Sequence, residues 1–470
     1  MLSGSWTDPR EGLFGLTKYK VNLAKHVRLR NSSSCVEPNL TAPKLPNQCQ
    51  AKSCSPMMAA LQFKGAVEIR RLCLRTGVTG LVIAFSSGLL DAQTPPPKLK
   101  VIASGADSNV IVQISSQSGF FYTVQRSADL AHWSAVTTLF ATSGALAWTS
   151  SPAGAPKGGF FRAKVNSPNR AVVTNYNGWT NAVMLDNGLV EAVIVPDAGR
   201  VLQFRFLGTT NGPFWENPAM SGQTATPASW NTEGAFGGDK AWPSPQSAWG
   251  WPPPAGFDGS PYKIEVTNGV VVLTSSVDSS FQVRTTRTVE LAFDEPVMRI
   301  TTAFDRVGAT ARTNNPVGIW TITQTQDPVR CFVPVRSNSV FGAGYQQLGT
   351  GMPAQFQNTN SLISFGRDPI TSHKLGFDAD SLVWVGTNLS LRIDAPRVSG
   401  LPISSYPDGG CSTEVYTNPG TNAPYIELEC LAPLSLLPVG AQMQSQTTYT
   451  LFHRTESDPE AEARSILNLL

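Results

Sequence analysis

The chain has 470 residues, 41% of them hydrophobic and only 15% charged, with 40 glycines and 35 prolines. That balance excludes a coiled coil and a highly charged disordered chain, and it favours many short strands joined by Gly/Pro turns. The formal net charge is +3, yet residues 1–75 alone hold 12 Lys and Arg against 4 Asp and Glu, so the rest is slightly acidic. No basic run follows Arg75, which argues against a nucleic-acid groove.

Residues 1–56 show no sustained helical or strand period and carry Pro, Asn and Ser clusters. They read either as a misassigned extension or as a disordered basic arm. One apolar stretch, Thr76–Leu90 (TGVTGLVIAFSSGLL), follows Arg70, Arg71 and Arg75 and precedes Asp91, Ala92 and Gln93. Basic, apolar, small and then polar is the order of a secretory signal, and the stretch is short for a membrane span. We therefore expect a signal peptide over residues 57–92, starting at Met57 or Met58, and a mature chain beginning near Gln93. The mature protein is then secreted or periplasmic, without a membrane span, and is expected to act as a monomer.

Four cysteines (Cys35, Cys49, Cys54 and Cys73) precede the proposed cut, and only Cys331, Cys411 and Cys430 follow it. No CxxC or Cys/His cluster remains, so a structural zinc site is not expected; no metal ligands and no cofactor are assigned, and a calcium ion on the clustered acids stays an open alternative. An oxidising compartment would allow one disulfide and one buried thiol.

Residues 98–166 read as a small all-β unit, with strands at Val110–Ser116, Gly119–Arg126, near Ala135–Phe140 and at Phe160–Val165. Trp133 and Phe121 are assigned to its core. Residues 167–470 form one long β-rich region. Strand-like runs recur at Ala192–Val195, Val201–Phe206, Lys263–Val266, Val270–Ser275, Gln282–Leu291, Val297–Phe304, Ile319–Gln324, Ser381–Val385 and Leu389–Ile393. With no repeating period, these predict a large sandwich rather than a propeller. Ser457-Asp458-Pro459-Glu460 has the spacing of a capping box before a short terminal helix.

Residues 214–257 hold five of the eleven tryptophans, Trp215, Trp230, Trp242, Trp249 and Trp251, interleaved with Asp239, Lys240, Gln246 and several prolines. The prolines break regular elements, so the segment reads as a long loop laid over the sandwich. Indole planes match the C–H face of a pyranose, and carboxylates, amides and Lys match its hydroxyl rim. The other reading is that the rings only fasten the loop to the core.

Residues 411–430, CSTEVYTNPGTNAPYIELEC, read as a hairpin around Pro419-Gly420. If Thr417 pairs with Pro424, Glu414 faces Glu427 and Cys411 faces Cys430, which predicts a disulfide. Alternation puts Glu414, Tyr416, Tyr425, Glu427 and Glu429 on one face, and Ile426 and Leu428 on the other. Opposed like charges need compensation from water, a cation, a Lys or Arg, or sugar hydroxyls. Otherwise they form a solvated face.

The same stretch, with Val415-Tyr416-Thr417, Leu428-Glu429 and the Leu437–Gly440 turn, resembles the end of a galactose-mutarotase-like domain. Pro196–Arg200 resembles that family's opening turn, and Phe236–Lys240 followed by Trp242 fits the place of its His-Gly-Gly loop. The resemblance covers about residues 180–455 and points to an uncharacterised bacterial branch of the aldose 1-epimerase-like superfamily. Separately, YTVQRSADLAHW followed by GGFFRAKV resembles a small β-sandwich module of secreted bacterial proteins. The expected fold is all-β, a large antiparallel β-supersandwich after a smaller N-terminal sandwich.

The resemblance implies a sugar site on a concave sheet face, where a Glu base takes the anomeric proton and a His acid protonates the ring oxygen. Glu429 takes the base position. Phe236 stands where the loop histidine would be, and His373, in the polar turn TSHKLG, is the candidate acid, with Lys374 or Asp239 as substitutes. Asp239, Lys240, Trp242, Gln246, Trp249, Trp251, Glu414 and Glu427 would bind the sugar. Three functions follow: an aldose 1-epimerase-type or related carbohydrate-active enzyme, a non-catalytic glycan-binding protein, or a surface structural protein.

Overall fold

The structure, a computed structural model, describes residues 97–103, 110–149, 159–231 and 235–469. The extension over 1–56 and the signal peptide over 57–92 lie outside the described residues. Among the described residues, no helix is long and apolar enough to cross a membrane.

The first strands form two three-stranded sheets. Leu99–Ala103, Val110–Ser115 and Ala145–Thr149 make one; Ser134–Phe140, Phe121–Ser127 and Phe160–Asn166 make the other. Alternation in both turns Val112, Ile114, Tyr122, Val124, Phe161 and Ala163 into a shared core. Trp133 lies outside that core. Its indole is only half-buried, lies under the Arg162 guanidinium at 4.3 Å, and donates to the Leu130 carbonyl. The polar N–H kept it at the rim.

Two ten-stranded antiparallel sheets follow, as the recurring runs predicted. The central strands of one sheet lie in the spatial order His373–Phe377, Thr413–Thr417, Tyr425–Leu431, Gly318–Gln326, Gly238–Ser244, Arg200–Phe206. The second sheet includes Val283–Leu291, Val297–Arg306, Gln442–His453 and Leu389–Asp394. Their facing surfaces enclose one apolar core, in which Val201, Phe204, Leu375, Val415 and Leu428 meet Val289, Ile300, Leu391 and Tyr449.

Three local expectations change. The aromatic segment contains a central strand, Gly238–Ser244, with all seven residues buried. Pro243 is tolerated because the ladder to Arg200–Phe206 consists of the single pair Val201–Asp239, leaving no bond there for the missing N–H to break. His373 opens a strand instead of sitting in a turn. The terminal helix, Pro459–Leu467, is capped by Asp458 and not by Ser457: the Ala461 N–H donates to Asp458 Oδ2 at 2.8 Å, and Pro459 takes the first helical position.

Candidate functional site

The outward face of the first sheet is read directly from its register. Lys240, Ile322, Glu429, Glu414 and Gly376 form one row across five strands. Gly238, Gln324, Glu427, Tyr416 and Lys374 form the next, and Trp242, Trp320 and Leu431 a third. Directly paired residues share a face, so these rows put the aromatic segment and the acid hairpin on one surface.

The hairpin register differs from the expected one by two residues. Glu414 opposes Glu429, Tyr416 opposes Glu427, and Thr413 opposes Cys430. The connecting loop is longer than Pro419-Gly420 alone suggested. A shift of two leaves every side chain on its predicted face. It does separate Cys411 from Cys430: both are buried and free, so the expected disulfide is absent. Cys430 packs in the main core, while Cys411 points its thiol at the Asp408 carbonyl.

The carboxylates are not a solvated face. Glu414 and Glu429 are each 1% exposed. Lys374 Nζ donates to Glu414 Oε2 at 2.7 Å and to Glu429 Oε2 at 3.0 Å. Trp320 Nε1 also donates to Glu429 Oε2, at 2.9 Å, and the Lys374 ammonium lies 4.5 Å from the Trp320 ring centre. Burial pushes the Glu414 pKa well above its ordinary value, against the pull of Lys374. Burial raises Glu429 in the same way. For Lys374 burial acts against the charge, but Glu414 and Glu429 outweigh it and the pKa rises.

Lys240 is the second ammonium on this face. It donates to Glu427 Oε1 at 3.2 Å and stands 4.4 Å from the Trp242 ring centre and 5.5 Å from that of Trp230. Burial lowers its pKa, and Glu427 opposes the drop. Gln324 donates to the same Glu427 oxygen at 3.0 Å. Glu427 is the more open of the acids, with 13% of its side chain exposed.

The indoles are held as a cluster. Trp242 packs edge-on against Trp230, Trp249, Trp251 and Trp320, with ring centres 5.5–6.2 Å apart. The buried Arg200–Asp258 pair orients it: Arg200 binds both carboxylate oxygens at 2.7 and 2.8 Å, Trp242 Nε1 donates to Asp258 Oδ2 at 2.7 Å, and Trp230 Nε1 donates to the Asp258 carbonyl at 2.6 Å. Trp249 donates to the Pro243 carbonyl. Trp251 keeps 45% of its surface exposed. Gln246 is half-buried, and its amide reaches the Gly250 carbonyl at 3.5 Å.

Two expected participants lie elsewhere. Asp239 neighbours Lys240 and so points to the opposite, inner face. It is fully buried there, paired with Arg287 and bonded by the Thr323 and Tyr449 hydroxyls. It cannot meet a sugar on the outer face. His373 likewise points away from its neighbour Lys374. Its Nδ1 lies 2.8 Å from the Thr350 carbonyl and its Nε2 3.0 Å from Asp368 Oδ2. Both ring nitrogens are engaged, on the face opposite Glu429, so His373 is not positioned as its acid. Phe236 fills an apolar cluster with Trp179 and Leu202, beneath the Arg200 guanidinium.

Gly237 and Gly238 join these parts. Their φ angles are +91° and +68°, and a Cβ would lie 2.1 Å from the Trp215 carbonyl oxygen or 2.3 Å from that of Val201. Only glycine allows the chain to enter the strand so close to its neighbours. Trp320, Lys374 as the ammonium between two acids, Gln324 and the Arg200–Asp258 pair were not singled out from the sequence. The alternation in Ile319–Gln324 placed Trp320 and Gln324 on one face, but nothing local gave their partners. Among the described residues, no group of three or more His, Cys, Asp or Glu could hold a metal ion.

No protein-family model and no curated protein matches the chain. Several solved structures are similar. A candidate aldose 1-epimerase from Escherichia coli K12 is 12% identical, with 57% of this chain and 97% of that one covered and a TM-score of 0.38. For a candidate mutarotase from Salmonella typhimurium the values are 11%, 58% and 90%, with a TM-score of 0.36. For a bacterial glucoamylase complexed with acarbose they are 8%, 64% and 36%, with a TM-score of 0.26.

Proposed function

We propose that this chain is an exported carbohydrate-binding protein of the mutarotase-like superfamily, taking a pyranose on the outer face of its first large sheet. One observation carries the reading: the Trp242 cluster and the Glu427–Lys240 pair stand side by side on one sheet face, 3.2 Å separating Lys240 from Glu427. Indole planes stack on the C–H face of a sugar, and a carboxylate, an amide and an ammonium at their edge bond its hydroxyls. Trp251 and Glu427 are the groups open to an arriving ring. Of the motifs that resemble aldose 1-epimerases, Val415–Thr417, Leu428-Glu429 and Gly238–Lys240 with Trp242 fall on these strands. A glycan array probed with the purified protein tests the proposal. Binding to at least one pyranoside class is expected, and a blank array would leave the structural role.

A second reading, an aldose 1-epimerase-type isomerase with Glu429 as base, draws on the burial of Glu429 beside Lys374 and Trp320. Among the described residues no histidine stands beside Glu429 on this face, so non-catalytic binding is the reading we favour. Polarimetry of freshly dissolved aldoses separates the two: faster mutarotation that Glu429→Gln abolishes would favour the enzyme. Export is tested by N-terminal sequencing of the secreted protein, where a start near Gln93 is expected.

A further inference from the structure

We propose that the buried Glu414 and Glu429 hold a single proton between their Oε1 atoms at neutral pH, forming with the half-buried Lys374 an electrically neutral group beneath the candidate site. The two residues are directly opposed across their strands. Both Oε2 atoms are committed to Lys374. Both Oε1 atoms are buried and have no partner. Two ionised carboxylates would therefore leave two orphaned acceptors and one uncompensated negative charge out of water, which is costly. One proton removes both defects: it gives one Oε1 a hydrogen to donate to the other and brings the group to zero charge.

The surrounding charges do not supply an alternative. Lys240, two strands away from Glu429, is committed to Glu427. Glu427 and Asp408 are negative and add to the repulsion, and the Cys411 and Cys430 thiols stay protonated because burial raises their pKa values. Burial also raises both glutamates, consistent with a retained proton.

The pair is thus a store for one dissociable proton. Its consequence for a bound sugar rests on the sugar-site reading: if that reading holds, the site has a carboxyl group as proton donor where His373 faces away. The proton itself does not depend on that reading, and the test uses no sugar.

Infrared spectra of the full chain at neutral pH should contain the C=O stretch of a protonated carboxyl group. The band should move on isotopic labelling of the glutamate carboxyl carbons and vanish on unfolding, when every glutamate ionises. Glu414→Gln and Glu429→Gln should each abolish it. Absence of the band from the folded wild-type protein would overturn the proposal, as would its persistence unchanged in both variants. Should neither variant fold, the labelled wild-type spectrum alone decides.

Discussion

Lys240 donates to Glu427 although 187 residues separate them, and this bond joins the aromatic segment to the acid hairpin. Both groups are largely out of water, so each is the other's principal charge partner. Removing one partner of a buried ion pair is strongly destabilising, because it leaves the other charge uncompensated out of water, less so where that partner keeps a hydrogen-bond donor and some exposure. Gln324 remains for Glu427. Lys240→Met should therefore lower the melting temperature, costing up to about 3–5 kcal/mol of stability, and weaken sugar binding by roughly tenfold, about 1.4 kcal/mol. Calorimetric titration and thermal melts on the same samples measure both.

Trp251 and Trp242 should part company under mutation. Trp251 is 45% exposed, whereas Trp242 is 5% exposed and touches four other indoles. Trp242→Ala is expected to cost about 3–5 kcal/mol of stability, as aromatic truncations in cores do. Trp251→Ala should cost within about 1 kcal/mol and act on sugar affinity instead. Urea unfolding beside a binding isotherm distinguishes a ring that packs from a ring that receives ligand.

Asp258 should prove a structural keystone. Removing its carboxylate leaves Arg200 charged, buried and unpaired, and takes the acceptor from Trp242 Nε1. Asp258→Ala should destabilise the protein by about 3–5 kcal/mol. The Trp emission spectrum should shift even in the folded fraction, because Trp242 loses the carboxylate to which its indole N–H donates. An unchanged denaturation midpoint would contradict this account.

Stability should fall as pH rises above the acidic range, and Glu414 should carry part of that slope. Burial raises its folded-state pKa above the ordinary 4.5, so the folded protein binds more protons than the unfolded chain. Such a group contributes fully below the unfolded pKa, and its contribution is lost as pH climbs through the folded one. Glu414→Gln has no proton to lose and should flatten the profile. Lys240, with its pKa lowered by burial, gives the opposite slope, but it is present in both proteins and cancels in the difference. Denaturation midpoints between pH 5 and about 9 provide the comparison.

Cys331, Cys411 and Cys430 should stay reduced and slow to alkylate while the protein is folded. All three are buried, and burial pushes the Cys331 thiol up to about 12 and the other two higher. Thiolate is the reactive form, so little is available near neutral pH. Mass mapping after iodoacetamide treatment, with and without denaturant, should find these positions modified only after unfolding.

The sequence by itself determined which way the hairpin side chains point. Side-chain direction in a strand repeats every two residues, so Glu414, Tyr416, Glu427 and Glu429 shared a face under the expected register and share it under the observed one. The same rule separated Asp239 from Lys240 and His373 from Lys374 once those segments proved to be strands, but their prolines and polar residues had suggested a loop and a turn. Only the tertiary structure decided the rest. The opposition of Glu414 to Glu429 and not Glu427 depended on loop length, and with it went the disulfide. Lys374 reaches both acids because its strand pairs with Thr413–Thr417, and Trp320 and Lys240 arrive from strands placed on the hairpin's other side. Strand order in a sheet is set by contacts between segments far apart in the chain, and alternation within one strand carries no record of its neighbours.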